Sequence, residues 1–299
     1  MSAAQARHGG DELRRDEPLA RHTSWRVGGP ADVYFRPATR QSLLAFLAGL
    51  DPALPVHWLG LGSNLLVRDG GLRGVVIATS RALGTLQRLP GRVVAGAGLA
   101  CTVLARRCAR WGLGPAEFFA GIPGTVGGAL RMNAGAFGGE TWDRVIEVET
   151  VDRRGRVRRR PRDDFGIGYR EVRGAEGEWF LAAHFDFVDQ PEGGLERVRS
   201  LLREREQKQP LGLASCGSVF RNPPGDHAAR LIESCGLKGL RIGGAEVSTK
   251  HANFIINTGG ATAADIERLI ETVRERVAAE TGVQLVPEVH IVGEPGGAA

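Results

Sequence analysis

Two glycine-rich stretches concentrate the kind of backbone that can hold a phosphate. Residues 60–74 contain five glycines and residues 121–139 contain seven. That is twelve of the chain's 43 glycines in 34 residues, where an even spread would put about five. Without a Cβ, glycine reaches φ > 0 and leaves its N–H bare enough to approach an anion. The first stretch opens as LGLGSNL over residues 59–65, directly after a strand-like run, and adds Ser63 and Asn64 as side-chain donors beside Gly60 and Gly62. The second reads GIPGTVGG over residues 121–128 and continues as MNAG, placing Thr125 and Asn133 among Gly121, Gly124, Gly127, Gly128, Ala134 and Gly135. Neither has the G-x-x-x-x-G-K-[ST] of a Walker loop or a G-x-G-x-x-G opening a helix, so a nucleotide here would not sit as in a P-loop or Rossmann protein. The plain alternative is two tight turns in a glycine-rich chain, and composition alone does not choose.

Three further polar residues stand in unusual settings. Arg170 follows Tyr169 in FGIGYRE just before a strand-like run, Ser218 lies in CGSVFRNP, and Glu288 interrupts the apolar LVPEVHIVG. Each has a plain structural reading. Ser218 can be a turn hydroxyl, and it is no nucleophile elbow because G-x-S-x-G is absent. Glu288 can be the solvent-facing residue of an alternating strand. His251, in KHANF, could be catalytic, but a hydrogen-bonded structural histidine is the preferred reading. Seven arginines crowd residues 153–162 (RRGRVRRRPR). They could contact nucleic acid, but no aromatic residue is interleaved for base stacking. A solvated hairpin around Arg154-Gly155 is the preferred reading.

The elements that must position these residues alternate between strand and helix in the first third. Residues 31–37, 56–59, 75–79 and 92–98 read as strands. Residues 41–50, after Thr39 as N-cap, and residues 99–111 read as helices. Residues 121–139 read as a long loop, residues 145–160 as a hairpin and residues 179–188 as a strand. A charged helix over residues 195–207 ends at Gln209-Pro210. Beyond it come a short strand (217–220), a helix (227–235), a strand (252–257), a long helix and a final strand (283–292). The long helix starts at Thr262 with Asp265 three residues on. Ile266, Leu269, Ile270, Val273 and Val277 mark one face of a 3.6-residue period. The domain division expected is a frayed N-terminus (1–18), a first domain (19–195, with subdomains 19–80 and 81–195), a second domain (196–293) and a frayed tail (294–299).

At 299 residues, with 42% hydrophobic and 24% charged residues, the chain is of ordinary globular composition. Disorder is excluded, as is collagen, because no G-X-Y period exists. The net charge of +5 is supplied almost wholly by arginine, since Lys208, Lys238 and Lys250 are the only lysines. That excess suits anionic substrates without selecting one. Cys101, Cys108, Cys216 and Cys235 form no C-x-x-C pair, and no two histidines have metal-ligand spacing, so no metal is expected. A reducing cytoplasm is the simplest expectation. The polar N-terminus lacks the apolar core of a signal peptide. No run approaches a membrane span.

Nine short strings occur together and in order: HTSWRVGGPAD (22–32), GLGSNLL (60–66), FAGIPGTVGG (119–128), MNAGAFGG (132–139), GYR (168–170), GSVFRNP (217–223), GLKG (236–239), HANFIIN (251–257) and PEVHIV (287–292). In this the chain closely resembles the UDP-N-acetylenolpyruvoylglucosamine reductases, FAD enzymes of peptidoglycan precursor synthesis, over nearly its whole length. The resemblance implies an α+β fold: an FAD-binding domain of the vanillyl-alcohol-oxidase type, made of two α+β subdomains, and a C-terminal α+β substrate domain. It implies that the glycine stretches hold FAD non-covalently, that NADPH is the hydride donor, and that the partners are small molecules, with no nucleic acid and no membrane, acting on a monomer. Ser218 matches the family's proton donor, Arg170 the residue that polarises the substrate carboxylate, and Glu288 an acidic partner of the intermediate. If Glu288 donates a proton it must be neutral, which implies burial and a raised pKa. Lys208 and Asn222 match contacts to the uridine diphosphate, with Arg221 a phosphate neighbour. The only tyrosines are Tyr34 and Tyr169, so the chain resembles the form that lacks a tyrosine-bearing loop over the substrate. Two departures are Val172, where relatives often have serine, and Leu130-Arg131.

Overall fold

The computed structural model describes residues 10–190 and 194–297. By compactness the chain forms two units that are not contiguous in sequence. One takes the residues up to 14 with 34–61 and 75–205, and the other takes 15–33, 62–74 and everything from 206 on. A linear division at 195/196 therefore does not describe them.

The first unit is built on a five-stranded antiparallel sheet ordered Val157–Pro161, Val145–Asp152, Glu178–Phe185, Arg92–Gly96, Leu86–Leu89. Beside it Val56–Leu59 pairs in parallel with residues 75–78. Helix α1 (Arg40–Ala48) begins with a reciprocal cap, the Thr39 side chain accepting from Ser42 N and the Ser42 side chain accepting from Thr39 N. Helix α2 (Cys101–Arg110) buries Cys101, Leu104, Ala105 and Cys108, an i, i+3, i+4, i+7 face, and places Arg107 and Arg110 at its negative C-terminal end. That face joins Val93, Phe119, Trp142, Val148 and Phe185 in one core. Fully burying each such large side chain contributes about 1.5–3 kcal/mol.

The arginine-rich hairpin forms as expected, Val151 opposing Val157 and Glu147 opposing Pro161. Four of its seven arginines, Arg156, Arg158, Arg159 and Arg160, are paired with carboxylates, while Arg153 and Arg162 donate to main-chain carbonyls. Arg160 grips Glu178 in a fork at 2.6 and 2.7 Å, Arg158 adds a second guanidinium to the same carboxylate, and Thr150 Oγ1 donates to it at 2.6 Å. Arg156 pairs with Asp152, and Arg159 lies 3.6 Å from Glu149. The Glu178 side chain is 4% exposed, and these bonds, Arg160's first, hold its carboxyl down to about 2. A depressed carboxyl contributes stability above its unfolded value and loses it as pH falls through the folded value. Acid titration of unfolding should therefore show wild type losing its advantage over Glu178→Gln between about pH 4.5 and 2. Parallel curves across that window would refute the pairing.

The second unit centres on α6 (Ala263–Thr281), the long helix read from the sequence. Thr262 and Asp265 cap it reciprocally, and Gly282 ends it in the left-handed conformation at φ +73°. Two more N-terminal amides, Ala263 N and Ala264 N, donate to the two carboxylate oxygens of Asp69 at 2.9 Å. Arg68 forks onto Glu267 with contacts of 2.7 and 3.0 Å. Ile266, Leu269, Ile270, Val273 and Val277 are buried against Leu231, Ile232, Val247 and Trp25. Trp25 is fully buried and donates Nε1–H to the Ile255 carbonyl at 2.7 Å.

Several expectations are corrected. Glu12–Pro18 is a strand rather than a frayed end; residues 1–9 lie outside the described residues. The tail is tied at Glu294, whose amide donates to Gly71 O at 3.0 Å; residues 298–299 lie outside the described residues. Residues 121–139 are not a continuous loop, because α3 (Val126–Arg131) starts at the Thr125 N-cap. The final strand is only His290–Val292, paired in parallel with Leu65–Val67. Pro287 has no N–H to extend it and makes a single bridge with Phe220. Residues 217–220 likewise form no regular strand.

Candidate active site

In the first unit the two-residue turn Tyr169-Arg170 joins Gly166–Gly168 to Glu171–Arg173. Arg170 sits in the left-handed region at φ +55°, a conformation costing a non-glycine residue roughly 1–2 kcal/mol. Its guanidinium donates from Nη1 to Asn133 O at 3.2 Å and from Nη2 to Gly135 O at 3.3 Å. The head lies 5.0 Å from the Tyr169 ring centroid, and its side chain is 16% exposed. The fork is thus oriented in part by two main-chain carbonyls, with the Glu140 carboxylate 4.0 Å from Nη1, and a guanidinium held in this way suits a planar anionic group.

The second glycine stretch is less open than its composition suggests. At the start of α3, Val126 N donates to Leu99 O at 2.8 Å, Gly127 N to Ala97 O at 2.7 Å and Gly128 N to Thr125 Oγ1 at 3.4 Å. Thr125 and Asn133 are 3% and 1% exposed. Both side chains are engaged internally, Asn133 through Nδ2 and Oδ1 and Thr125 as acceptor of its own helix cap. Gly121 is needed for close packing, since a Cβ would come within 2.6 Å of Ala136 Cβ. Gly60 is similar: its Cβ would meet Thr125 Oγ1 at 2.6 Å.

The first stretch behaves differently. Gly62 has φ +61°, and a Cβ there would lie 2.1 Å from His22 O, so no other residue fits. Ser24 N donates back to Gly62 O at 3.1 Å, while His22 Nε2 contacts Glu17 Oε1 at 2.9 Å. The amides of Gly60, Leu61, Gly62 and Ser63 have no hydrogen-bond partner among the described residues. Unspent backbone N–H donors beside a hydroxyl are the groups a diphosphate takes.

Within the second unit Glu288 is bonded to Val219, next after Ser218, and to the Asn64 side chain. Glu288 N donates to Val219 O at 2.7 Å, Asn64 Nδ2 donates to Glu288 O at 3.1 Å, and His290 N donates to Asn64 O at 3.1 Å. Val219 N in turn donates to Asn253 O at 2.9 Å. The Asn253 side-chain amide closes a pair of bonds with Phe220, accepting from its N at 2.9 Å and donating to its O at 2.8 Å. Asn253 is 4% exposed. It fixes the segment carrying Ser218 and had no role in the sequence reading. The signal was a buried amide inside the apolar string HANFIIN. Burial, with the Glu288 charge next in weight, holds the Cys216 thiol well above its usual pKa, so it stays a neutral core thiol.

The remaining expected residues are scattered along the second unit. Arg221 Nε is buried without a protein partner, an orphaned donor that suits an anion. Asn222 Oδ1 accepts from Ala228 N at 3.1 Å at the start of α5 (Ala228–Ser234). Lys208 is the exposed last residue of α4 (Gly194–Lys208). His251 packs edge-on against Phe254 with its Nδ1 unpartnered, and burial lowers its pKa. Among the described residues no group of side chains has the make-up of a metal site, and no helix is long and apolar enough to cross a membrane.

Two family profiles match the chain: a UDP-N-acetylenolpyruvoylglucosamine reductase C-terminal domain over residues 209–292 and an FAD-binding domain over residues 31–160. A UDP-N-acetylenolpyruvoylglucosamine reductase of Alkalilimnicola ehrlichii is 62% identical over 98% of this chain and 99% of its own length. One of Methylococcus capsulatus is 58% identical over 93% and 92%. The crystal structure of UDP-N-acetylenolpyruvylglucosamine reductase from Thermus caldophilus superposes with a TM-score of 0.79 at 36% identity, covering 92% of this chain and 97% of that one.

Proposed function

The chain belongs to the family of UDP-N-acetylenolpyruvoylglucosamine reductases, flavin oxidoreductases of α+β fold with an FAD-binding domain of the vanillyl-alcohol-oxidase type. From that premise we propose that it reduces the enolpyruvyl ether of UDP-N-acetylglucosamine to UDP-N-acetylmuramate at the expense of NADPH. FAD, when bound, supplies hydride transfer from the nicotinamide to the methylene carbon of the enolpyruvyl group.

The chain's own residues then have defined tasks. The unspent amides from Gly60 to Ser63 hold the flavin's diphosphate non-covalently, as the first stretch carries Asn64 and no histidine. Hydride addition leaves negative charge on the carbon next to the carboxylate. Arg170 binds that carboxylate with its carbonyl-oriented fork and spreads the charge. Ser218 gives the proton to the same carbon, completing the saturated lactyl ether. Glu288 stands across from the Ser218 segment and hydrogen-bonds the enolic form. Arg221, with its orphaned Nε, meets a phosphate of the uridine diphosphate, and Lys208 and the Nδ2 of Asn222 reach the same moiety. The form without a closing tyrosine loop rests on where the two tyrosines lie, Tyr34 at 3% exposure and Tyr169, 48% exposed, in the two-residue turn beside Arg170. A cytoplasmic monomer completes the reading.

The observation that carries it is the anchoring of Asn64, Glu288 and the Ser218 segment on one another by main-chain and amide bonds. This joins the diphosphate-holding stretch to the protonation machinery. Anaerobic stopped-flow tests it. NADPH should bleach the flavin band, and the enolpyruvyl substrate should restore it in a second step. A purified protein that takes up no flavin on addition of FAD would overturn the reading. Flavin reduced by a hydroxy acid or sugar instead of by NADPH would point to an oxidase.

A further inference from the structure

We infer that Asn133 is the positioning residue of Arg170, an inference that rests on Arg170 being the carboxylate ligand. Asn133 is 1% exposed and adopts φ +44°, left-handed backbone that asparagine tolerates better than other side chains. Its main-chain carbonyl is one of the two oxygens holding the Arg170 guanidinium. Its side chain fixes what surrounds the other. Nδ2 donates to Glu140 Oε2 at 2.7 Å and to Gly168 O at 3.1 Å, and Oδ1 accepts from Trp142 N at 3.2 Å. Glu140 is the ladder partner of Gly135, whose carbonyl is the second guanidinium anchor. Gly168 is the last strand residue before the Tyr169-Arg170 turn. One buried amide thus fixes both carbonyl anchors and the turn that carries the arginine. It also sets the Glu140 carboxylate 4.0 Å from Arg170 Nη1, too far for a hydrogen bond and near enough to balance the charge.

The chemistry of the substitution makes this testable. Asn133→Asp keeps the left-handed backbone and the bond from Trp142 N. It replaces two N–H donors by a carboxylate facing Glu140 Oε2 and Gly168 O, so both contacts become repulsive. The guanidinium loses its fixed orientation, and a misplacement of about 1 Å can cost about 100-fold in rate.

The experiment compares the holoenzyme with Asn133→Asp, Arg170→Lys and the double variant. The readouts are flavin absorbance, the rate of flavin reduction by NADPH, the rate of reoxidation by the enolpyruvyl substrate, and calorimetric binding of UDP-N-acetylmuramate. For Asn133→Asp, flavin content and the reduction rate should be retained. Reoxidation should slow about 100-fold, product binding should weaken, and the reoxidation defect should shrink toward acid pH as the new carboxyl gains a proton and a donor. The double variant should be no slower than Arg170→Lys, because the two residues act as one unit. Additive losses, or an equal loss in both half-reactions, would overturn the inference. Should Arg170→Lys alone reoxidise at the wild-type rate, the assignment of Arg170 itself fails, which is a separate outcome. If Asn133→Asp does not fold, Glu140→Leu removes the shorter of the two Nδ2 contacts, at 2.7 Å, and leaves the one to Gly168 O. It should give the same selective loss of reoxidation, and unchanged reoxidation there would equally overturn the inference.

Discussion

Ser218→Ala is expected to leave flavin reduction by NADPH at the wild-type rate and to slow reoxidation by substrate by about 10²–10⁴-fold, the usual contribution of a positioned proton donor. The structure isolates the hydroxyl. The peptide groups after it are fixed by Asn253 and Glu288 through Val219 and Phe220, and the residue before it, Gly217, supplies the turn at φ +84°. None of these bonds uses the serine side chain, so alanine removes one oxygen and leaves the scaffold standing. Single-turnover kinetics of each half-reaction, with a denaturation curve as control, separates the outcomes. Equal loss in both steps would show a disturbed flavin site and end the proton-donor assignment. A hydroxyl is a weak acid, so its donation depends on the charge it faces. Solvent deuterium should therefore slow reoxidation in wild type and lose much of that effect in the variant.

How much of this was legible in the sequence depends on the range of the interactions involved. Helix α6 was readable to its first residue because its signals are local: Thr262 and Asp265 three apart, a 3.6-residue apolar face and Gly282 beyond. The arginine hairpin was readable from the Arg-Gly turn. That Arg158 and Arg160 converge on Glu178 needed the neighbouring strand, 18 residues away from Arg160. The glycine excess divides on the same line. Twenty-one glycines among the described residues have positive φ, so much of the excess is turn geometry. The second glycine stretch looked as open as the first. Two of its amides, Val126 N and Gly127 N, are taken by the carbonyls of Leu99 and Ala97, which only tertiary structure supplies. Asp69 capping α6 across 194 residues, and the roles of Asn133 and Asn253, were invisible for the same reason: an asparagine or aspartate serves a local turn or a distant backbone with equal propensity. The resemblance placed Ser218, Arg170 and Glu288 by motif. Their supporting bonds could not be read that way.

Glu288→Gln is the second large effect, and its expected signature differs from that of Ser218→Ala. Glutamine keeps the length and shape of the side chain, and the backbone bonds at this position, Glu288 N to Val219 O and Asn64 Nδ2 to Glu288 O, do not involve the carboxyl. The fold and the flavin-bearing stretch should therefore be retained. What is lost is a group able to change its proton and charge as negative charge builds on the substrate. Turnover should fall by about two to three orders of magnitude, with a smaller change in the Michaelis constant. A rise in KM alone, at wild-type kcat, would mean that Glu288 contributes equally to substrate and transition state and would remove it from the chemistry. The pairing of the two segments adds a sharper requirement. Because Ser218 and Glu288 flank one bonded step of the same unit, their substitutions should not add: Ser218→Ala with Glu288→Gln should be nearly as active as the slower single variant. Full additivity would mean that the two residues serve different steps, and the proton would then have to reach the substrate without Glu288.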